Sequence, residues 1–223
     1  MLSAIGKKLQ SIEKELSPFE TRLLPVSKTF PSEAILDAYE YGYKSFGENR
    51  VQELLPKFEA LPKDIEWHLI GHLQTNKVKY IASFISLIQS VDSEKLLVEI
   101  DKQALKAGRQ ISCLLQIYIA KEETKFGWEP EEVIQFYQTG RLAEFKNIQI
   151  KGLMGMASNT SDQAQVRSEF RKLKGLFDAL KAFDILPNSK METLSMGMSG
   201  DYLLAAAEGS TMVRMGSSIF GAR

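Results

Sequence analysis

The stretch LSMGMSGDYLLAAAEGSTMVRMGSSIFG, residues 194–221, decides the predicted fold. Its pattern predicts a strand, a Ser-Gly turn, a helix, a second strand and a Gly-Ser turn. Two such turns at the ends of consecutive strands leave backbone N–H groups and hydroxyls available to an anion. In a (β/α) barrel, the loops after the last two strands are a frequent phosphate site. The stretch therefore predicts a phosphate-binding edge on a parallel sheet.

Strand and helix patterns alternate along the rest of the chain. Helical patterns lie at 32–42, where Ser32 is the expected N-cap, and at 49–61, 93–108, 129–140 and 163–183. Short apolar runs predict eight strands, at residues 23–27, 44–46, 67–70, 84–90, 112–119, 150–156, 193–196 and 212–215. This order predicts a parallel sheet covered by helices, and eight strands favour a (β/α)8 TIM-type barrel.

Two further expectations concern the ends of this barrel. Residues 1–223 are expected to form a single domain. Too few residues follow the last strand for a full covering helix, so a helix over 3–16 is expected to fill that gap in the outer ring. An open doubly wound sheet is the alternative fold, but no G-x-G-x-x-G turn follows the first strand to support a dinucleotide-binding version.

Composition narrows the classes of function. The chain has 223 residues, with 28 Lys+Arg and 28 Asp+Glu, so it lacks the basic excess of nucleic-acid and acidic-membrane binders. One cysteine, Cys113, excludes an internal disulfide. No secretory signal pattern and no membrane-spanning apolar run is present. These observations favour a cytoplasmic protein, and the even spread of charge favours a monomer.

Lys28, in RLLPVSKTFP (22–31), follows the first predicted strand. The carboxyl ends of barrel strands form the active face, where residues from several strands converge. A lysine there can form a Schiff base with an aldehyde if desolvation and a neighbouring cation lower the pKa of its amine. A lysine and a phosphate cradle on one edge together indicate pyridoxal 5′-phosphate (PLP). A barrel that binds a sugar phosphate and uses Lys28 as an aldolase-type amine is a weaker alternative.

Six segments carry a resemblance to a known family. LLPVSKTFP, FGENRVQE (46–53), WHLIGHLQTNK (67–77), GLMGM (152–156), LSMGMSGD (194–201) and VRMGSSIFG (213–221) resemble, in order, the YggS/PROSC family of pyridoxal phosphate homeostasis proteins. The resemblance implies a barrel like the N-terminal domain of alanine racemase. It also implies a non-catalytic PLP carrier or regulator that serves intracellular PLP homeostasis and amino- and keto-acid balance. PLP-dependent apo-enzymes are the acceptors it suggests.

The resemblance also implies roles for individual residues. Lys28 matches the Schiff-base lysine, and Arg214 matches the arginine at the pyridine nitrogen. Two pairs match the phosphate loops, namely Ser199 with Gly200 and Gly216 with Ser217. Each has a plainer interpretation: Ser199 as a helix N-cap, the Gly216 turn as barrel closure, and Arg214 as a surface salt bridge.

Other matched residues divide between site and scaffold. Asn49 either reaches the cofactor edge or caps the next helix, and Met154 either packs on the cofactor ring or belongs to the core. Lys125 and Gly127 match a K-x-G turn of the family. His68 and His72 have no cysteines or paired carboxylates nearby, so no metal site is predicted, and His68 is expected to be a hydrogen-bonded core residue.

The main alternative function is a PLP-dependent racemase or decarboxylase. A two-base racemase needs proton donors and acceptors on both faces of its substrate, and Lys28 can serve only one. In the related enzymes the other base is a tyrosine from a second domain, and the sequence given continues for only seven residues after Gly216. An exposed cofactor also excludes water poorly. Binding without catalysis is therefore expected.

Overall fold

The computed structural model describes residues 2–120, 126–183 and 186–221. Its strands form one parallel sheet in the order β1-β8-β7-β6-β5-β4-β3-β2. A bridge between Val26 and Gly47 then joins the end of β1 to β2, which completes a barrel. The strands are β1 Arg22–Pro25, β2 Ser45–Glu48, β3 Glu66–Leu69, β4 Leu87–Val91, β5 Ile111–Ile117, β6 Ile148–Gly155, β7 Ser189–Ser195 and β8 Met212–Met215. The predicted (β/α)8 class is confirmed.

Helices alternate with these strands and cover the outside of the barrel. They are α1 Ala4–Leu16, α2 Ser32–Tyr41, α3 Val51–Ala60, α4 Val78–Ile81, α5 Glu94–Lys106, α6 Pro130–Gln138, α7 Gln163–Leu180, α8 Tyr202–Ala207 and α9 Ser217–Phe220. Short 3₁₀ turns occupy Thr75–Lys77, Arg141–Glu144 and Lys181–Phe183. None of the helices in these ranges has the length and apolar character that crossing a bilayer requires.

The N-terminal helix fills the gap that the short C-terminal segment leaves. Helix α1 packs against α2 on one side and against α8 and α9 on the other. Its residues Leu9, Ile12 and Leu16 are buried because they recur on one face of the helix. The outer ring is thus completed by residues from the opposite end of the chain.

The N-cap residues predicted from sequence are found at the start of α5 but not at the start of α2. Ser93 caps α5 as its pattern predicts, since its hydroxyl accepts the Leu96 amide at 3.4 Å. The expectation that Ser32 caps α2 was wrong: Pro31 occupies the cap position without a side-chain bond, and Ser32 is the first helical residue. Proline has no side-chain oxygen to accept an amide hydrogen, so α2 begins without a side-chain cap.

Two apolar regions hold the barrel together. The larger lies between the outer face of the strands and the helices, and it includes Trp67, Phe46 and Phe170. The smaller lies inside the barrel and contains Leu87, Leu114 and Met154. Above this inner cluster the barrel interior becomes polar, and that change places a polar site at the carboxyl ends of the strands.

Candidate functional site

A cavity of about 810 Å³ opens at the carboxyl ends of the strands. Its lining comes from residues far apart in sequence that the barrel brings together, as expected for the active face of this fold. Seven of the eight cofactor-binding residues predicted from sequence line it: Lys28, Asn49, Ser199, Gly200, Arg214, Gly216 and Ser217.

Two loops line one side of the cavity and offer unpaired backbone donors. The first loop contains Ser199 and Gly200, and the second contains Gly216 and Ser217. Within the described part of the chain, the amides of Ser199, Gly200 and Ser217 donate to no protein acceptor. The first loop is held by Asp201, whose carboxylate accepts the Met198 amide at 2.6 Å. Asp201, not Ser199, occupies the N-cap position of α8, and it makes no side-chain cap bond there. The two loops together have the donors that a phosphate group needs.

Gly216 allows the second loop to approach β1 closely. A Cβ atom at this position would stand 3.0 Å from the Val26 carbonyl oxygen. A side chain at position 216 would therefore force this loop and the segment after β1 apart by a few tenths of an ångström. Glycine favours the close approach of the loop to the segment that continues to Lys28.

Arg214 forms part of the cavity floor as a buried cation. Its Nη1 donates to the Ser195 carbonyl at 2.8 Å and hydroxyl at 2.6 Å, and its Nη2 donates to the Gly155 carbonyl at 3.1 Å. Burial lowers the pKa of Arg214 to about 10, although the Asp201 charge opposes this shift. The guanidinium remains protonated at neutral pH. Three of its five N–H groups hold it in place, and the others remain as donors for a ligand.

A polar chain supports Arg214 from below. The Ser195 hydroxyl donates to Gln89 at 2.7 Å, and the Gln89 amide lies 3.1 Å from Nδ1 of His68. Burial, and to a lesser extent the Arg22 charge, lowers the pKa of His68 to about 3, so His68 is neutral. The prediction of a hydrogen-bonded core histidine is confirmed.

Met154 does not line the cavity, and of its two interpretations, ring packing or core, the structure favours the core. Its side chain is fully buried in the inner apolar cluster with Leu87 and Leu114. Met156, two residues farther along the chain, lines the cavity instead. Inward-facing residues alternate along a strand, so the last one before the mouth meets the cavity while the previous one packs below it.

Asn49 lies in the cavity wall and not in a helix cap. The N-cap position of α3 is Arg50, which makes no side-chain cap bond. Gly71 presses against Asn49 from the next strand end, since a Cβ atom at Gly71 would stand 2.4 Å from the Asn49 carbonyl oxygen. This contact fixes the backbone position of Asn49.

Sequence reasoning missed other lining residues. Gln116 lies near the end of β5, where its amide donates to the Phe126 carbonyl at 2.6 Å. His72 pairs with Asp92 at 2.8 Å and stacks on Phe126 with ring centroids 4.3 Å apart. A polar residue near the end of an apolar strand was the available signal for Gln116. Lys125 lies outside the described residues, and the described ranges hold no His, Cys, Asp or Glu group suited to a metal.

The sequence profile of the alanine racemase N-terminal domain family matches residues 1–223. The pyridoxal phosphate homeostasis protein of Aquifex aeolicus is 43% identical over 203 residues, which cover 91% of this chain and 87% of that protein. The protein of the same name from Haemophilus influenzae is 39% identical and covers 100% of this chain and 94% of its own length. This chain belongs to the pyridoxal phosphate homeostasis protein family.

Solved structures place this family member among similar barrels. PipY of Synechococcus elongatus PCC7942, solved without PLP, superposes with a TM-score of 0.90 at 36% identity and covers 97% of this chain and 100% of its own. PipY has also been solved with PLP bound, with a TM-score of 0.85 at 35% identity and the same coverage. Alanine racemase from Bartonella henselae shares only the fold, with a TM-score of 0.71 at 16% identity over 99% of this chain and 60% of the enzyme.

Proposed function

We propose that this chain binds pyridoxal 5′-phosphate in the cavity at the carboxyl ends of the strands and serves the homeostasis of this cofactor. The observation that carries the proposal is the convergence of Lys28, Arg214 and the two glycine-serine loops on one cavity. These groups are an amine, a buried cation and unpaired amides, which match the aldehyde, ring nitrogen and phosphate of PLP. The relative PipY, which has been solved with PLP bound, supports this assignment.

Each group has a proposed role in holding the cofactor. Lys28 would hold the cofactor covalently, because its unprotonated amine can condense with the aldehyde and release one water molecule. Ser199, Gly200, Gly216 and Ser217 bind the phosphate through amides and hydroxyls. Asn49 lies at the cofactor edge, and Met156 takes the ring-packing place first predicted for Met154.

Arg214 favours retention of the cofactor over its use in catalysis. An arginine does not give up its proton, so it donates a hydrogen bond to the ring nitrogen without protonating it. A carboxylate in this position would stabilise a protonated ring, which is the stronger electron sink. Non-catalytic binding is therefore our proposal, with PLP-dependent apo-enzymes as acceptors and with a monomer as the working form.

An absorption spectrum of the purified protein tests binding directly. We expect a visible band that borohydride abolishes, and a peptide containing LLPVSK that carries the reduced cofactor. Lys28→Ala should lose the band, whereas Lys151→Ala should keep it, because Lys151 lines a different cavity, which also contains Arg22 and Thr193. A colourless parent protein saturated with PLP, or labelling at another lysine, would refute the proposal.

The non-catalytic part needs separate assays. Racemisation and decarboxylation of a panel of amino acids should not exceed the rate with free PLP. Turnover above that rate which disappears in Lys28→Ala would establish an enzyme instead. Transfer is measured by mixing the loaded protein with a PLP-dependent apo-enzyme and following recovery of that enzyme's activity.

A further inference from the structure

The two residues that flank Lys28 are both held by helix α3. Glu53 and Lys57 lie four residues apart in α3, so they project from one face of the helix. Glu53 Oε2 accepts the Thr29 amide at 2.9 Å, and Lys57 Nζ donates to the Ser27 carbonyl at 2.8 Å. One face of α3 therefore forms hydrogen bonds with the residue immediately before Lys28 and with the residue immediately after it.

A buried carboxylate, that of Glu48, also forms a hydrogen bond with Ser27. Glu48, the last residue of β2, is fully buried and accepts the Ser27 hydroxyl at 2.6 Å. Lys57 Nζ also lies 2.6 Å from the same Glu48 oxygen. Ser27 is thus bound through its carbonyl, its hydroxyl and its amide, which donates to the Gly47 carbonyl at 3.0 Å.

Thr29 is held in a backbone conformation that it would not adopt by itself. Its φ of 66° is the only positive value for a non-glycine residue within 2–120, 126–183 and 186–221. β-branched residues rarely adopt the left-handed region, and such strain persists only where the surroundings impose it. In this conformation the Thr29 amide donates a hydrogen bond to the Glu53 carboxylate. The turn after Lys28 therefore depends on a side chain from α3.

We propose that Glu53 is a positioning residue for Lys28, holding Thr29 in its left-handed turn so that the lysine amine stays directed at the cofactor cavity. The inference rests on the proposed function, in which Lys28 bonds to the cofactor. Glu53 ends the segment FGENRVQE, in which the family resemblance implied a role for Asn49 alone. Glu48 and Lys57 are buried, so their substitution would disturb the fold. Glu53 lies closer to solvent, which makes it the residue to test.

The first measurement needs no cofactor. Amide hydrogen exchange in the peptide spanning residues 26–31 should speed up in Glu53→Ala, because the Thr29 amide loses its acceptor. Glu53→Gln retains a carbonyl oxygen and should keep the slower exchange of the parent. Equal exchange in Glu53→Ala and the parent would overturn the proposal.

The second measurement follows formation of the lysine-linked absorption band after PLP is added. We expect Glu53→Ala to slow it by about tenfold, the effect of losing one hydrogen bond to a charged group, and Glu53→Gln to restore it to within about twofold. Glu33→Ala removes an exposed carboxylate from the first turn of α2 and controls for charge. Arg50→Ala removes the other partner of Glu53, at 3.8 Å, and should resemble the parent.

A double substitution isolates the mechanism. Glycine adopts the left-handed region without strain, so Thr29→Gly should make the Glu53→Ala effect shrink to about twofold or less. A full effect of Glu53→Ala in the protein that already carries Thr29→Gly, or no rescue by glutamine, would refute positioning through Thr29. A parent that never develops the band would refute the proposed function instead, and the exchange measurement would still decide whether Glu53 holds the turn.

Discussion

Replacing Arg214 with methionine should lower the stability of the cofactor-free protein only modestly and should weaken its binding of PLP. Arg214 is only 4% exposed, and the partners of its guanidinium are neutral oxygens of Ser195 and Gly155. Its removal therefore leaves no partner charge stranded in the interior, unlike the loss of one member of a buried ion pair. Methionine is flexible enough to occupy the same space.

The magnitude follows from two opposing contributions. Burial lowers the pKa of Arg214 from 12.5 to about 10, which corresponds to about 3 kcal/mol of destabilisation. This penalty is fully present below pH 10 and decreases only as the pH rises towards 12.5. Three hydrogen bonds from this charged donor, at about 1.5 kcal/mol each, slightly exceed the penalty. We therefore expect the free energy of unfolding to fall by about 1–2 kcal/mol, and PLP to bind at least about tenfold more weakly.

Urea unfolding of cofactor-free protein at pH 7 measures the first quantity, and equilibrium dialysis against PLP measures the second. Arg109→Met is the matched control, because its guanidinium also donates to two backbone carbonyls, at 3.0 and 3.1 Å, but lies outside the cavity. It should retain PLP like the parent. If Arg214→Met loses more than about 3 kcal/mol of stability yet retains PLP normally, Arg214 is a structural residue and its assigned role is wrong.

Two further predictions concern residues around the cavity. Gly71→Ala should displace Asn49, since the new Cβ would stand 2.4 Å from the Asn49 carbonyl oxygen, and it should weaken PLP binding several-fold in the same dialysis. Gly175→Ala is the control, because a Cβ atom there meets open space. Unchanged binding in Gly71→Ala would show that Asn49 does not contribute to the site. Burial lowers the pKa of His68 to about 3, so the unfolded chain alone takes up this proton between pH 6.5 and 3, and stability should fall by up to about 1.4 kcal/mol per pH unit on acidification. Urea unfolding from pH 4 to 7 should give a flatter dependence for His68→Gln, and an unchanged slope would contradict a neutral His68.

The barrel and its functional edge could be predicted because their signals are local. Glycine and serine turns after apolar runs mark strand ends, and the carboxyl ends of parallel strands meet at one face. Lys28 and the loops at Ser199 and Gly216 were therefore assigned to one edge from their positions alone, and the structure brings them to one cavity.

Depth within the barrel could not be predicted in the same way. Met154 and Met156 lie two residues apart and share the inward orientation, because side chains alternate along a strand. Met154 packs in the inner cluster and Met156 lines the cavity, so they differ in their height within the barrel. That height depends on the stagger of neighbouring strands, which includes a register shift between Ile150 and Gly152. The contacts of Glu53 with the Lys28 loop were also missed, since they depend on how α3 packs against the end of β1, and no short segment encodes that.

The contact between α1 and α9 makes folding of this barrel depend on its two ends. Residues of Ala4–Leu16 pack against Ser217–Phe220, and β1 pairs with β8, across about two hundred positions of chain. Native contacts of such large sequence separation slow folding. On the ribosome, α1 and β1 can meet α2 and β2 early, but their other sides are covered only when α8, β8 and α9 have been made. Part of their apolar surface therefore stays exposed until late in synthesis.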